Sequence, residues 1–207
     1  PGKVSRSGGV HLGVALLMLD LFDAPLIPGL ASQAELVSSA EERSLVQAID
    51  AQPLSPFRFQ GWEGKRLTHS FGWNYDFETG EVARAAPMPD WLVAIRQRVA
   101  VFAGIDPNQL VQALLIRYDV GAGIGWHRDR PIYEHVVGLS LGAPAVMRFR
   151  RRHVDKWQRV NLPLPPRGAY HLSQEARHEW EHSIVEMLDV RHSITFRSPS
   201  DRGRALL

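Results

Sequence analysis

Apolar residues recur at helical spacing in two stretches of the first half of the chain. One stripe follows Ser39, and Glu42 stands three residues later as in a capping box, so a helix is predicted there. The second stripe starts at Asp90, after two prolines, and Gly104 is well placed to end it. The stripe residues are Leu45, Val46 and Ile49 in the first helix and Leu92, Ile95, Val99 and Phe102 in the second.

From Leu110 onward, short runs of alternating apolar and polar residues dominate. Glycine and proline clusters separate these runs, a pattern typical of a β-sandwich or barrel. The predicted strands are Leu114–Val120, His135–Leu141, Val146–Arg151, Gly168–Leu172, Ser183–Leu188 and Val190–Arg197. There are no internal repeats and no obvious linker. The pattern therefore predicts one α+β domain, with its helices first and its sheet second.

The first residues of the chain include a basic stretch followed by an apolar run, Val10–Phe22. This outline resembles a secretory signal, but Asp20 interrupts the run and no cleavage site of small residues follows. The run is also too short to span a membrane. We expect Met18 to be the natural start, with residues 1–17 an extension that is disordered or vector-derived, and residues 18–207 a single domain. Leu19–Leu30 is predicted to be a short strand entering a turn.

Composition narrows the chemistry that the chain can perform. With 44% hydrophobic and 22% charged residues it is an ordinary globular sequence. The absence of cysteine excludes a disulfide scaffold, a thiol nucleophile, an iron–sulfur cluster and cysteine-based zinc sites. A metal would need ligands from the nine histidines and the carboxylates. The formal charge of +2 is nearly neutral, so any nucleic-acid partner must be inferred from local clusters of basic residues.

A candidate metal-binding motif, His127-Arg128-Asp129, follows the glycine-rich turn Gly121–Gly125. In an extended segment, residues two apart point to the same side, so the imidazole and the carboxylate can converge. One further histidine would complete a 2-His-1-carboxylate triad, which suits Fe(II). The later histidines compete for that place, namely His135, His153, His171, His178 and His182.

The last predicted strand places an unusual set of polar residues on one face. Arg191, Ser193, Thr195 and Arg197 alternate with His192, Ile194 and Phe196. Two arginines on one face are costly to bury without an anionic partner. They either lie on the wet face of an edge strand or surround a small dicarboxylate, which the planar guanidinium binds well.

Taken together, these motifs resemble those of the AlkB family of Fe(II)- and 2-oxoglutarate-dependent dioxygenases, in particular its bacterial members that repair alkylated nucleic acids. The resemblance covers about 80 residues, from Arg117 to Arg197, in matching order and spacing. The residues that carry it are Arg117, Tyr118, Gly121, His127, Arg128, Asp129, Gly138–Gly142, Arg177, Trp180, Glu181, His182 and the strand Arg191–Arg197.

The resemblance implies a double-stranded β-helix (jelly-roll) core, at about 110–200, with N-terminal flanking helices and a nucleotide-recognition lid. It implies that His127, Asp129 and His182 ligate iron and so form the catalytic centre. It also implies that 2-oxoglutarate is bound by Tyr118, Arg191, Ser193 and Arg197, with Arg191 on the distal carboxylate and Arg197 beside the metal-chelating end.

Two positions depart from the family pattern. Ile116 stands where the family often has asparagine, two residues before the tyrosine. A hydrogen bond to 2-oxoglutarate is therefore lost or is supplied by another residue, such as Ser193. After the second histidine the family usually has glycine, and here it is Ser183, a modest change that alters the local turn.

The segment Phe57–Phe77 interleaves basic and aromatic residues. Its run from Lys65 to Tyr75 resembles the lid that recognises nucleotides, since basic groups meet phosphates and aromatic rings stack on a base extruded from the helix. On this basis Lys65, Arg66, Trp73 and Tyr75 are predicted to contact the substrate. The alternative is a hairpin whose aromatic residues only pack on the sheet.

Two further arginines are predicted to contact the substrate. Arg148 begins the basic run Arg148–His153, which is either a solvated strand end or a phosphate-binding stripe beside the active site. Arg130 follows the His-x-Asp motif at a place where some family members carry acidic residues that contact the base. The choice of base therefore does not transfer from those relatives.

The sequence thus predicts an enzyme that uses Fe(II), 2-oxoglutarate and O2 to demethylate N-alkylated bases in DNA or RNA, releasing formaldehyde, succinate and CO2. One alternative is the same chemistry as a hydroxylase of a tRNA modification or of a protein side chain. A second is a non-enzymatic jelly-roll binding module. We expect a cytoplasmic monomer without a membrane partner.

Overall fold

The computed structural model of the chain describes residues 27–59, 62–75 and 80–206. The expectations for residues 1–17, and for most of Leu19–Leu30, fall outside the described residues. In the described part, no helix is both long and apolar enough to cross a membrane.

Thirteen strands and four α-helices make up the described chain. The helices are α1 (Ser39–Asp50), α2 (Asp90–Ala103), α3 (Gln174–His178) and α4 (Asp201–Arg204), with a 3-10 turn at Pro107–Gln109. The strands are β1 (Leu30–Gln33), β2 (Ser55–Phe59), β3 (Trp62–Phe71), β4 (Trp73–Tyr75), β5 (Val82–Arg84), β6 (Gln112–Tyr118), β7 (Ile124–His127), β8 (Tyr133–Gly142), β9 (Ala145–His153), β10 (Lys156–Leu164), β11 (Ala169–Leu172), β12 (Glu181–Ile184) and β13 (Arg191–Pro199).

Two antiparallel sheets form the body of the fold. The larger has seven strands in the order β1-β11-β8-β13-β6-β3-β2, and the smaller has four in the order β10-β9-β12-β7. Side chains from both sheets meet in one apolar cluster, which includes Ile116 and Tyr170 from the large sheet and Phe149 and Ile184 from the small one. The result is the jelly roll expected from the sequence, in which two sheets enclose a shared interior.

The helices cover the other face of the large sheet. A second apolar cluster joins Leu45 and Ile49 of α1, and Leu92 and Val99 of α2, to strand residues such as Phe196. Strands β4 and β5 form a separate two-stranded sheet. The large sheet is therefore buried on both faces, and only its inner face is available to line a site.

Both predicted helices are present, but the first begins differently from the prediction. Ser38 rather than Ser39 caps α1, because its hydroxyl accepts from Glu41 N at 3.3 Å while the Glu41 carboxylate accepts from Ser38 N at 2.7 Å. Glu42 instead accepts from Gly142 N at 2.8 Å. Helix α2 begins at Asp90, and Gly104 ends it with φ +67°.

The six predicted strands are present with shifted ends, and one prediction is wrong over half its length. Strand β12 stops at Ile184, whereas the prediction continued to Leu188. The chain turns there because Met187 exchanges backbone hydrogen bonds with the turn after β6, donating to Ala122 O and accepting from Gly121 N.

Strand β13 lies in the middle of the large sheet, between β8 and β6. The possibility of an edge strand with a wet face is therefore wrong. Ile194 and Phe196 belong to the cluster under the helices, so the alternate residues Arg191, Ser193 and Thr195 face the interior between the two sheets, where all three are buried.

Candidate metal centre and active-site cavity

Three side chains with metal-binding groups converge at the open side of the jelly roll. His127 ends β7 and lies directly opposite His182 of β12, and Asp129 follows His127 by two residues. One ligand atom from each lies within 4.8 Å of those of the other two. The imidazole rings are 4.3 Å apart, and Nε2 of His182 is 3.7 Å from Oδ2 of Asp129. Paired strands thus position both histidines.

Hydrogen bonding sets the orientation of the first imidazole. Nδ1 of His127 lies 2.9 Å from the carbonyl oxygen of Gly125, so the ring donates from Nδ1 and keeps the lone pair of Nε2 free. Nδ1 of His182 is buried and has no hydrogen-bond partner among the described residues. The ring of Phe149 packs beside His182, with centroids 6.0 Å apart.

The protonation state of these three groups suits a cation. Burial lowers the pKa of His127, and burial together with the charge of His127 lowers the pKa of His182 to about 3. Burial alone would raise the pKa of Asp129, but the neighbouring cations, led by Arg197, hold it below its usual range. Two neutral imidazoles and a carboxylate are the forms in which these side chains bind a metal.

Arg197 of β13 holds the carboxylate of this group. Its Nη2 and Nε donate to Oδ1 of Asp129 at 3.0 and 3.2 Å, and Nη1 donates to Gln112 at 3.3 Å. Its guanidinium also lies 5.3 Å from the ring centre of Tyr133. The strand that carries Arg197 therefore fixes the orientation of Asp129 from the floor of the cavity.

Arg191, at the other end of the same face, has no anionic partner in the described chain. It is 1% exposed, and its hydrogen bonds are to the hydroxyl of Ser140 at 3.1 and 3.3 Å. Its guanidinium lies 5.0 Å from the ring centre of Tyr118, and its Nη1 is buried without a partner. A buried guanidinium is costly unless an anion accepts its hydrogen bonds, so this pocket suits a small carboxylate.

The surroundings of Arg191 are shaped by a glycine and a serine. A Cβ on Gly138 would lie 2.2 Å from the ring of Tyr170, so only glycine leaves room for that ring. Tyr170 shares a side-chain hydrogen bond with Thr195, and burial raises its pKa. Ser193 lies directly opposite Ser140 on one side and Ile116 on the other. The unusual Ile116 is thus beside Ser193 and lines the cavity.

A cavity of 1240 Å³ opens over His127 and Asp129 of this group. Arg66 of β3 enters it beside Phe57, with the guanidinium 4.0 Å from the ring centre and Nε buried without a partner. Arg177 of α3 also lines it, donating to the carbonyl oxygens of Arg130 and, at 2.7 Å, of Tyr133.

The structure separates the other residues predicted to contact substrate. Arg130 lines the cavity, but Lys65 and Trp73 are not among its described lining residues. Lys65 is exposed, 3.7 Å from Glu186, and Trp73 packs against Arg84 at 5.2 Å. Tyr75 belongs to β4, and its side chain is outside the described part.

The basic run Arg148–His153 divides between two faces of the small sheet. On the face turned away from His182, which we call the outer face, Arg150 lies between the rings of Trp126 and Trp157, at 4.4 and 4.6 Å. Arg148 lies 5.0 Å from Trp126 and donates to Ser183 at 3.1 Å. Because Trp126 also lines the cavity, the outer face begins at the cavity mouth.

Arg151 points the other way and has a different environment. It donates to Glu175 at 2.8 Å and to Glu179 at 2.6 Å, and stacks at 4.8 Å from Trp180. Two carboxylates thus neutralise the one arginine of the run that does not share the outer face.

The other candidate histidines do not join the triad, although His178 lines the same cavity. His135 and His171 hydrogen-bond to each other at 3.0 Å, and His178 contacts Glu134 at 3.2 Å. His153 ends β9, at the far end of the hairpin. Ser140, Tyr170 and Arg177 surround the site without having been assigned a role from sequence. Ser140, within Gly138–Gly142, and Arg177 were part of the family motif. Tyr170 was not, and only the pairing of β11 with β8 shows that it lies at the site.

Comparisons with known proteins concern the family and the fold of the chain. The sequence profile of the 2OG-Fe(II) oxygenase superfamily matches residues 24–202. The chain is 30% identical over 193 residues to the Arabidopsis thaliana "Alkylated DNA repair protein ALKBH8 homolog", covering 80% of this chain and 54% of that protein. It is 29% identical over 160 residues to the "Alpha-ketoglutarate-dependent dioxygenase AlkB" of Escherichia coli, covering 64% and 72%.

Other similarities concern larger proteins and the fold. The mouse "tRNA (carboxymethyluridine(34)-5-O)-methyltransferase ALKBH8" is 27% identical over 166 residues, covering 77% of this chain but only 24% of that protein. The chain therefore spans about half of the Arabidopsis relative and a quarter of the mouse one. The solved structure of OsALKBH1 superposes with a TM-score of 0.60 at 16% identity, covering 82% of this chain and 98% of that one, which shows the shared fold.

Proposed function

Because this chain belongs to the AlkB family of 2OG-Fe(II) oxygenases, which use Fe(II), 2-oxoglutarate and O2, we propose that it oxidatively demethylates N-alkylated bases in DNA or RNA. The observation that carries the proposal is the pairing, inside one fold, of a metal-binding triad with a buried arginine that lacks an anion. The first suits a catalytic metal, and the second suits a dicarboxylate co-substrate.

His127, Asp129 and His182 would hold the iron. They offer two neutral nitrogens and one carboxylate oxygen, which is the donor set that Fe(II) oxygenases use while leaving other positions open. Arg197 positions Asp129 through two hydrogen bonds, and Gly125 orients His127. The bound iron and 2-oxoglutarate supply the oxidising power, with succinate and CO2 as by-products.

Arg191 would bind the distal carboxylate of 2-oxoglutarate. Its free Nη1 and the hydroxyl of Ser140 offer donors, and the ring of Tyr118 packs on the guanidinium. Ser193 lies on the same face and supplies a hydroxyl near the position where Ile116 offers none. These residues would hold the distal end of the co-substrate at the inner end of the site, and Arg197 would lie beside its metal-chelating end.

The cavity above the metal has the size and lining for a base extruded from its strand. Phe57 gives an aromatic face and Arg66 a cation near the metal, which together suit a stacked base. Arg130 at the cavity, with Lys65, Trp73 and Tyr75 of the β3–β4 segment, would contact the flanking nucleotides. Arg148 on the outer face would meet phosphates.

The reaction oxidises one C–H bond of the N-methyl group to C–OH. The resulting hemiaminal then breaks its C–N bond, with the hydroxyl proton passing to the ring nitrogen and the carbon leaving as formaldehyde. The protein needs no nucleophile for this step, since its part is to hold the methyl group near the metal and keep bulk water away.

Formaldehyde release from methylated oligonucleotides tests the proposal. A panel of DNA and RNA oligomers, each with one methylated base, is incubated with Fe(II), 2-oxoglutarate and O2. We expect release from at least one oligomer, in proportion to succinate, and none from the His127→Ala variant. If succinate forms at the same rate with and without every methylated oligomer, demethylation would be contradicted.

A second candidate function is hydroxylation of a modified tRNA base without demethylation. The similarity to vertebrate proteins named as tRNA carboxymethyluridine methyltransferases favours it. The two candidates give different products, because hydroxylation adds one oxygen to the tRNA and releases no formaldehyde. Mass spectrometry of nucleosides from treated tRNA therefore separates them.

A further inference from the structure

The described lining of the active-site cavity is strongly one-sided in charge. Asp129 is the only carboxylate among those lining residues, whereas five arginines line the same space. These arginines are Arg66, Arg128, Arg130, Arg177 and Arg197. Arg191 adds a further buried guanidinium beneath the floor.

The single carboxylate is already engaged. Arg197 binds Asp129 at 3.0 Å, and Asp129 is also the carboxylate of the metal-binding triad. Arg177 donates to backbone carbonyls, which carry no net charge. Glu134 acts on Arg177 electrostatically, but it contacts His178 at 3.2 Å and is not among the lining residues. No further carboxylate of the described lining is available to a ligand.

Arg66 lines the cavity and is half-buried there. It forms no ion pair within the described chain, and one face of its guanidinium covers Phe57. Burial lowers its pKa, and the charge of Arg197 lowers it further while Tyr118 and Asp129 oppose the change. A half-buried cation with no carboxylate partner among the described residues is poorly solvated, so a second cation beside it would be unfavourable.

Loading the site does not reverse this balance. Iron(II) brings two positive charges, and the 2-oxoglutarate dianion brings two negative ones. The described lining therefore keeps an excess of guanidinium groups over carboxylates in both the empty and the loaded protein. In a partly dehydrated cleft such an excess favours neutral or anionic ligands over cationic ones.

We infer that this cavity selects alkylated bases that carry no positive charge, and that Arg66 is a specificity-determining residue. Methylation at a ring nitrogen makes 3-methylcytosine and 1-methyladenine cationic at neutral pH, whereas 3-methyluracil and 1-methylguanine stay neutral. The inference rests on the proposed function, since it concerns the base presented to the same site. It assigns the neutral class of lesion to this chain.

A matched pair of lesions tests the inference. Two oligonucleotides of one sequence carry either 3-methylcytosine or 3-methyluracil, which have the methyl group on the same ring nitrogen and differ at one exocyclic group. Fluorescence anisotropy with iron-free protein gives the two dissociation constants, and formaldehyde release gives turnover. We expect the 3-methyluracil oligomer to bind at least about tenfold more tightly. Equal or tighter binding of the 3-methylcytosine oligomer would overturn the inference.

Variants of Arg66 show whether its charge causes the preference. Arg66→Gln should narrow the ratio of the two dissociation constants several-fold, and Arg66→Lys should retain most of it. Arg43→Gln, on the exposed side of α1, removes an arginine far from the cavity and should leave the ratio unchanged. If the ratio of the two dissociation constants is unchanged in Arg66→Gln, Arg66 does not determine the specificity. The ratio measured for the wild type still tests the charge preference of the cavity.

The two proposals fail in distinguishable ways. If no oligomer of the methylated panel releases formaldehyde but the 3-methyluracil oligomer binds more tightly than the 3-methylcytosine one, demethylation is wrong and the charge preference stands. If formaldehyde comes mainly from the 3-methylcytosine oligomer, demethylation stands and the charge preference is wrong.

Discussion

Two arginine-rich regions of this protein use the same side chain for different ends. The buried and half-buried arginines at or beneath the cavity that are compared, the cavity arginines, are Arg66, Arg177, Arg191 and Arg197, and the outer-face arginines are Arg148, Arg150, Arg152 and Arg159. Arg191 is 1% exposed and the Arg197 side chain 12%, whereas Arg152 and Arg159 are exposed. Dehydrated guanidinium groups discriminate strongly between charges, while solvated ones give weak attraction that salt screens.

Stacking separates the two regions as well. Arg150 lies between two tryptophan rings and binds Glu181 at 2.6 Å, so its position on the outer face is fixed by neighbours within the protein. Arg191, in contrast, has a buried nitrogen without a partner. The cavity region is therefore incomplete without a ligand, and the outer face is complete without one.

The largest effect is expected where the cavity charge meets the metal. Asp129→Asn removes the one anionic ligand, and we expect iron affinity to fall by more than the about 10–100-fold typical of residues that only support a ligand. Iron titration measures the affinity, and succinate release should disappear in parallel. Asp119→Asn, which removes a surface carboxylate beside Arg117, is the matched control. Normal iron binding by Asp129→Asn would contradict the proposed triad.

The next effect concerns the buried arginine without an anion. Arg191→Gln should raise the KM for 2-oxoglutarate by about 100-fold, because a buried charge-assisted pair is lost. The effect should be confined to ligands with a distal charge. The 5-amide of 2-oxoglutarate, which is neutral at that end, should bind wild type poorly and lose little more in the variant. A KM unchanged by Arg191→Gln would place the distal carboxylate elsewhere.

The histidine pair His135 and His171, on the opposite face of the large sheet, shows how burial lowers a pKa where no arginine is nearby. His171 is the buried member of the pair. Burial and the nearby His135 lower the pKa of His171 to about 4, against a usual value of 6.5. The unfolded chain therefore binds this proton first as pH falls, so stability is full above about pH 6.5 and declines towards pH 4. Between pH 7.5 and pH 5 we expect a loss of about 1–2 kcal/mol from this group.

Denaturant unfolding of the wild type and His171→Gln at both pH values measures that loss. The variant should be less sensitive to acid by the same amount. Equal pH sensitivity of the two proteins would show that folding does not lower the pKa of His171.

The smallest effect is expected on the outer face. The double change Arg148→Gln with Arg152→Gln should weaken oligonucleotide binding about 3–10-fold and reduce the salt slope by about 1 to 2. It should not change the preference between neutral and cationic bases. Arg151→Gln, at the arginine held by Glu175 and Glu179, is the internal control and should leave the salt slope unchanged. A salt slope that responds equally to both changes would remove the distinction between the faces.

Periodicity and turn residues were sufficient to predict the two longest helices and six of the thirteen strands of the described chain. Helix α2 follows the prediction from Asp90 to Gly104, since proline and glycine mark both ends. Strand β7 was not predicted, and neither was β10, which pairs with β9 in a hairpin. Strand β10, Lys156–Leu164, mixes charged residues with a proline and has little alternation, because its first four residues are exposed on both sides of the strand.

The candidate site was predictable in its motifs but not in its partners. Local spacing brings His127 and Asp129 together, but the pairing of His127 with His182 depends on the register of β7 and β12. Likewise no local pattern predicts that Tyr170 packs against Gly138 or that Arg66 reaches the cavity. The run Arg148–His153 appeared uniform in sequence, yet strand alternation sends Arg151 to two glutamates and its neighbours to the outer face.

One measurement tests most directly whether the cavity arginines set the preference between bases while the outer-face arginines set the overall affinity. Binding of the 3-methyluracil and 3-methylcytosine oligomers is compared from about 50 to about 200 mM salt. We expect both dissociation constants to rise steeply and in parallel, because salt screens the attraction of the outer face. Their ratio should stay constant, because it is set by the dehydrated cavity. A ratio that falls to one as salt rises would show that the preference comes from surface charge, and would contradict the account.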